Sequence, residues 1–361
     1  MLPKLVSDDK FNAAMLQLAR SACGLTQEEA AQAAGVTQAL LSKLENRLLT
    51  NPSHDVVESL ANALRFPAAF FYQPDSLIGL PHFHHRKRAK LQAKPLARIH
   101  SIVNIRRMHL QRLLRSWERE PSKPIPELDP ENLGLTAQAL ALRMREYWLL
   151  PRGPVDNLVD LIEAAGGVII LVDFNTSFID GISIRIPGLP PTFFMNSQVP
   201  ADRFRYSLAH ELGHIIMHSV PGDDETMESQ ADEFAASFLM PAQDVRPYLS
   251  SASIAKLGRV KPFWKVSIKA LIRRAFDLKL VTPYQYKSLN IEYGKAHYNS
   301  GEPHPIEFEK PKLFAQIVEH HMRALGYSIS EMAQLLCIHE DVFRKAYLPG
   351  AKGLRLVVSN Q

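Results

Sequence analysis

The pentapeptide His210-Glu211-Leu212-Gly213-His214 is the densest piece of chemistry in this chain of 361 residues. On an α-helix, positions i and i+4 share a face. Both imidazoles can therefore reach one Zn²⁺ at about 2.0–2.1 Å, with Glu211 beside a remaining open position. The chemistry is hydrolysis by activated water, with Glu211 as the base that takes the proton. Fourteen residues beyond His214 lies Glu228, which can be the third ligand, and Asp232, one turn on, can accept a hydrogen bond from a liganding His and fix its tautomer. His218, Asp224 and Glu225 are alternative third ligands. His218 sits about 80° round the helix from His210, less well aimed but usable as a helper. The bland alternative is an amphipathic helix whose His only make hydrogen bonds. Cys23 and Cys337 are the sole cysteines, far apart in the chain, so His and carboxylates must hold any metal.

Two helices must position these groups, one over about 201–218 and one over about 225–239, the second closed by Pro241. Phe204, Leu208, Leu212 and Ile215 give the first an apolar side opposite the His. Upstream, Thr136 and Val155 begin two further helices, the second ended by Gly166-Gly167. Val168–Val172 is a short β-branched run. Ile182, Ile184 and Ile186 alternate with Ser183 and Arg185, the period of a half-buried strand, and Thr192–Asn196 is a third candidate. The segment Phe193 to Asn196 is expected to be the sheet edge on which a substrate pairs. Arg203, Arg205, Tyr206 and His218 are within reach as oxyanion partners.

A separate helical stretch occupies 8–75. Ala31 and Gly35 are small where two helices cross, Leu41 and Leu44 can pack the second helix on the first, and Thr37 caps it. From Gly24 through Gly35-Val36-Thr37-Gln38 to Leu41-Ser42-Lys43-Leu44-Glu45-Asn46, residues 11–72 resemble the Cro and lambda-repressor-like (XRE) helix-turn-helix family. The resemblance implies a second helix in the major groove of double-stranded DNA. Outward Gln38, Ala39, Ser42 and Lys43 follow the cap Thr37, and Gln27 lies near a phosphate. Gln can bond adenine bidentately and Lys can reach guanine. The alternative is a helical bundle that only packs or dimerises.

The stretch from Asp180 to Pro241 resembles the ImmA/IrrE metallopeptidases. The matching pieces are Gly181-Ile182-Ser183, Phe193-Phe194-Met195-Asn196, Arg203 through His214, and Glu228 with Phe234 to Pro241. That resemblance implies a cytosolic zinc protease that cuts a repressor or related regulator in stress or mobile-element control. The rival expectation is a non-catalytic repressor or antitoxin-like regulator whose zinc domain senses or scaffolds.

Charge is uneven. Residues 1–75 hold six Lys/Arg against eight acids, whereas 81–119 hold eleven against Glu118 alone, with Arg86-Lys87-Arg88 and Arg106-Arg107 the densest parts. The expectation is a phosphate-contacting helix, in which His82, His84 and His85 join the basic face. Pro121, Pro124, Pro126 and Pro130 mark a linker. Gly326 to Tyr347 suggests a second helix-turn-helix, but His339, Glu340 and Asp341 at its head favour packing or a homodimer over DNA. Asp8 and Asp9 stand where a secretory leader would be apolar, and no run suits a bilayer, so a cytoplasmic protein is expected.

The fold class expected is α+β, predominantly α. Residues 8–75 form the helix-turn-helix bundle, 76–128 a basic helix and linker, 129–249 a zincin-like domain of small mixed sheet and helices, and 250–361 a C-terminal helical domain.

Overall fold

The computed structural model describes residues 10–79, 93–219 and 223–348. Arg86-Lys87-Arg88 and His82, His84 and His85 lie outside them. The protein is predominantly helical with one small mixed sheet among the described residues. None of its helices there is long and apolar enough to cross a membrane. Its contacts divide into two compact units.

The first unit contains 10–79, 93–118 and 313–348. Helices α1 (Ala13–Ala22), α2 (Gln27–Ala33), α3 (Gln38–Glu45) and α4 (His54–Leu64) enclose a core that includes Leu16, Ala31, Leu41, Leu44, Leu60 and Phe70. The caps fall where side-chain chemistry puts them. Thr26 and Glu29 form a reciprocal capping box, and Thr37 Oγ1 accepts from the Leu40 N–H at the head of α3. The Thr26 backbone N–H, with Lys94 behind it, draws the Glu29 carboxyl down to about 2. Gly35 takes a positive φ of 65° at the turn between α2 and α3, where a side chain would be strained.

Helix α5 (Ala93–Leu113) departs from the expectation of a phosphate-contacting face. Arg106, Arg107 and Arg112 are only 3–4% exposed. Arg112 pairs with Asp75 at 2.6 Å, Arg107 donates to the Ser76 carbonyl at 2.7 Å, and the Arg106 guanidinium lies 4.6 Å from the Tyr347 ring centre. Buried guanidinium groups need such partners, and here the chain's own carboxylate, carbonyls and ring supply them. Lys94, Arg115 and Arg119 stay exposed. His109 is enclosed against the Tyr347 hydroxyl. Burial, then Arg106 and Arg112, pushes its imidazole well below the ordinary range. Helices α14 (Leu313–Arg323), α15 (Ile329–Leu336) and α16 (Glu340–Tyr347) complete the unit, with Ser328 and Glu331 in a capping box and Cys337 in the left-handed conformation between α15 and α16.

The second unit contains 119–219 and 223–312. Its sheet has the order β1 (Val168–Val172), β3 (Thr192–Asn196), β2 (Gly181–Ile184), parallel between β1 and β3 and antiparallel between β3 and β2. The expected edge strand is therefore the central one. Phe193, Phe194 and Met195 are fully buried and β3 is paired on both sides, so no substrate strand can add to it. Helices α7 (Leu158–Ala164) and α8 (Ala201–Met217) pack on the sheet, α9 (Asp224–Leu239) packs on α8, and α6 (Ala137–Tyr147) packs on α9; α10 (Ala242–Leu249), α11 (Ile254–Trp264), α12 (Ile268–Asp277) and α13 (Pro283–Lys295) follow in the chain.

Two boundaries expected from sequence are redrawn. The proline-rich segment is strapped to this unit: Ile125 N–H donates to Ala165 O, Leu128 N–H to Ile216 O, and the Trp148 indole to Lys123 O. Proline removes backbone donors there, Pro130 opens the short helix Pro130–Leu133 behind its cap Asp129, and pairing with existing elements satisfies backbone groups at Ile125 and Leu128. The stretch 250–361 is not one domain. Leu257, Trp264, Leu271 and Tyr293 join the core that holds the sheet and α8, while 313–348 belongs with the first unit. Lys261, 1% exposed, pairs with Asp202 at 2.6 Å and Glu302 at 2.9 Å, which ties α11 to the start of α8.

Candidate functional site

Helix α8 buries Phe204, Leu208 and Leu212 in the core and turns its other side to α9. The two helices can approach closely because one motif residue has no side chain. A Cβ at Gly213 would sit 3.2–3.3 Å from Phe234, tighter than ordinary packing allows. Close approach puts the acidic face of α9 over the imidazoles.

Three ligand groups converge there. His210, His214 and Glu228 each offer an atom within 4.8 Å of the others. The two Nε2 atoms are 3.0 Å apart, and the Glu228 carboxylate lies 3.2 Å from His214 Nε2 and 3.5 Å from His210 Nε2. Both Nδ1 atoms are occupied on the far side of the rings. His210 Nδ1 donates to Asp232 Oδ1 at 2.9 Å, and His214 Nδ1 is 2.9 Å from His218 Nδ1. Since a carboxylate only accepts, Asp232 sets His210 in the Nδ1–H tautomer and leaves the Nε2 lone pair for the cluster. Two imidazole nitrogens and a carboxylate on one point form the donor set of a divalent cation such as Zn²⁺. Asp224 and Glu225, the other acids considered, are not in the three-residue cluster.

Glu211 faces the sheet. Its carboxylate accepts from Ser183 Oγ at 2.6 Å, and it is 7% exposed. Strand β2 can lie this close only because residue 181 is glycine, where a Cβ would meet Met195 Sδ at 2.7 Å and Glu211 Cγ at 3.0 Å. The half-buried strand read from alternation is thus wholly buried: its polar position, Ser183, is 7% exposed and serves the helix rather than solvent. Asp180 fixes the start of the strand, accepting from Arg203 Nε at 2.8 Å and Ser207 Oγ at 2.9 Å, both on α8.

The oxyanion candidates separate by environment. Arg205, 2% exposed, is held by Glu309 and the Val155 carbonyl, inside the fold. Arg203 is engaged by Asp180. Tyr206 lies with its hydroxyl 3.4 Å from the Asp232 carbonyl, and burial, then the Asp232 charge, raises its pKa and keeps it protonated. His218 is at the cluster, its Nε2 2.9 Å from Gln230 Oε1. Burial lowers its basicity and the Gln230 contact opposes that. Sequence reasoning gave no role to Ser183, Gly181 or Gln230. The one signal available was a small polar residue two places after glycine in an otherwise apolar strand.

In the first unit, Thr37, Gln38, Ala39 and Lys43 are exposed, while Gln27 and Ser42 are half-buried. Gln38 Nε2 donates to Gln27 Oε1 at 3.1 Å, Gln27 Nε2 donates to Glu45 at 2.7 Å, and Arg20 grips Glu45 through two nitrogens at 2.5 and 2.9 Å. A chain of hydrogen bonds from the core side of the bundle thereby orients the amide at the head of α3.

One unit carries the sheet, paired helices and cluster of a metallopeptidase-type domain, and the other carries a helix-turn-helix. Residues 162–276 match the peptidase family model described as the IrrE N-terminal-like domain, and residues 13–69 match the model of a helix-turn-helix domain. The chain thus joins a stretch similar to the IrrE/ImmA-like peptidase domain to a helix-turn-helix domain. No curated protein matches it.

Proposed function

We propose that this chain is a cytoplasmic, DNA-binding transcriptional regulator with a zinc-dependent endopeptidase, which cleaves a repressor or similar regulatory protein in a stress or mobile-element response. The observation that carries the reading is the meeting of His210, His214 and Glu228 at one point, with Glu211 buried alongside on the neighbouring strand's hydroxyl. In this reading His210, His214 and Glu228 hold Zn²⁺, which supplies Lewis acidity to water and to the scissile carbonyl. Asp232 orients His210. Glu211 accepts the proton of the attacking water and can return it to the leaving amine. Ser183 holds the Glu211 carboxylate in place through its hydroxyl. Strand β2, at one end of the sheet order, takes over the substrate-pairing role first expected of β3, since an edge strand offers backbone groups to an extended peptide.

On DNA, α3 lies in the major groove, with Gln38, Ala39, Ser42 and Lys43 towards base edges after the cap Thr37. Gln27 stands near a phosphate and steadies Gln38. An intact Glu211 weighs against a purely sensing or scaffolding zinc domain, which has no need of a base. The test is full-length protein loaded with zinc and incubated with a repressor encoded beside its gene, the products read by mass spectrometry. Cleavage that stops with a chelator and returns with zinc supports the proposal. An intact repressor after prolonged incubation with the zinc-loaded chain overturns it.

A further inference from the structure

The relation between His214, His218 and Gln230 assigns a task to two residues outside the ligand set. Helix α8 ends at Met217, and His218, its C-cap, donates its backbone N–H to the His214 carbonyl at 2.9 Å. The chain leaves the helix there, so the His218 ring is free of helical geometry and bridges from His214 to Gln230 on α9. The contacts on its two nitrogens are each 2.9 Å, Nδ1 to His214 Nδ1 and Nε2 to Gln230 Oε1.

We infer that His218 and Gln230 form a positioning relay that holds His214 with its proton on Nδ1 and its Nε2 lone pair directed into the His210–Glu228 cluster. The direction of the relay follows from one atom. Gln230 Oε1 can only accept, so His218 Nε2 carries a proton and donates to it. A neutral His218 then has a lone pair on Nδ1, which accepts from His214 Nδ1–H. His214 Nε2 is left unprotonated, the state a ligating imidazole requires. Asp232 does the same for His210 by a single contact to a carboxylate, so the two imidazoles are oriented by unlike devices. A carboxylate sits directly on His210. On its Nδ1 side His214 is reached through a second ring ending on a neutral amide. His218 is therefore not a third ligand: Nδ1 faces His214, Nε2 faces Gln230, and Glu228 fills the third place.

This inference rests on the zinc reading of the cluster, and the experiment separates the two. Zinc affinity of the full chain is measured by chelator competition for wild type, His214→Ala, His218→Ala, His218→Asn and Gln230→Met, with circular dichroism of each metal-free protein. Outer partners of metal-binding His are worth about 10–100-fold in affinity. The expected results are a loss of that size in His218→Ala, partial recovery in His218→Asn, whose amide oxygen can accept from Nδ1–H, and a smaller loss in Gln230→Met. Proton NMR of the zinc-loaded protein should show a protected His214 Nδ1–H signal that disappears in His218→Ala. If wild type and His214→Ala bind zinc equally poorly, the zinc reading itself fails. If wild type binds tightly and His214→Ala does not, His218→Ala and Gln230→Met both within about twofold of wild type overturn the relay alone. A loss in His218→Ala as complete as in His214→Ala makes His218 a ligand, which also overturns it. Should His218→Ala fail to fold, Gln230→Met and the NMR signal decide the matter.

Discussion

Ser183 Oγ lies 2.6 Å from the Glu211 carboxylate, joining the edge strand β2 to the metal-motif helix α8 at the residue expected to handle the proton. Neither side chain is more than 7% exposed, so this hydrogen bond forms where water competes little.

Ser183→Ala should lower peptide cleavage while leaving zinc content at the wild-type level. A hydrogen bond to a charged group contributes about 1.5–3 kcal/mol, which corresponds to roughly ten- to a hundredfold in turnover if it is lost only at the reacting geometry. Ser183→Thr, which keeps the hydroxyl, should retain more activity. Steady-state cleavage with parallel metal analysis checks both.

Glu211→Gln should keep the metal and lose proteolysis by about 10²-fold or more, because an amide cannot accept the proton. Cleavage of a verified substrate at near wild-type rate would refute general-base catalysis by Glu211.

Removing zinc should cost stability in the second unit and spare the first, since a ligand bound only to the folded state stabilises by mass action and all three cluster residues belong to 119–312. Thermal unfolding with and without chelator, followed by unit-resolved hydrogen exchange, measures this. Protection lost first in α1–α4 would contradict it.

Arg112→Ala should destabilise the helix-turn-helix unit by about 3–5 kcal/mol, because it leaves Asp75 and Gln73 without the buried guanidinium that now satisfies them. Urea unfolding of the full chain tests the magnitude. A change below about 1 kcal/mol, the level of an exposed ion pair, would mean that α5 presents its charges to solvent after all.

If α3 reads bases as proposed, Gln38→Ala should reduce discrimination between operator and random DNA by about 1–3 kcal/mol with little change in the salt dependence, since it would remove a base contact and no charge. Gln27→Ala should act in the same direction more weakly, by releasing Gln38 from its 3.1 Å contact. Fluorescence anisotropy over a salt series separates loss of specificity from loss of phosphate contacts.

Local chemistry was legible in the chain. Helical spacing alone puts His210 and His214 on one face, and Thr37, Thr136, Ser267 and Thr282 each cap the helix that follows, because a cap is settled by residues three apart. The spacing of Glu228 and Asp232 was also within reach of sequence, since one turn of helix sets it. What sequence left open depends on partners far along the chain. The charge of Arg106, Arg107 and Arg112 reads as a solvent or phosphate face until Asp75, Ser76 and Tyr347 are folded against it. Alternation in β2 assigns Ser183 to an outer face, but the helix carrying Glu211 covers that face. Strand order cannot be read from strand sequence, so β3 passed for an edge until pairing on both sides made it the centre. Periodicity determines which residues share a side of an element. Only tertiary packing decides what that side meets, because burial and hydrogen-bond partners are properties of the folded chain and not of the segment.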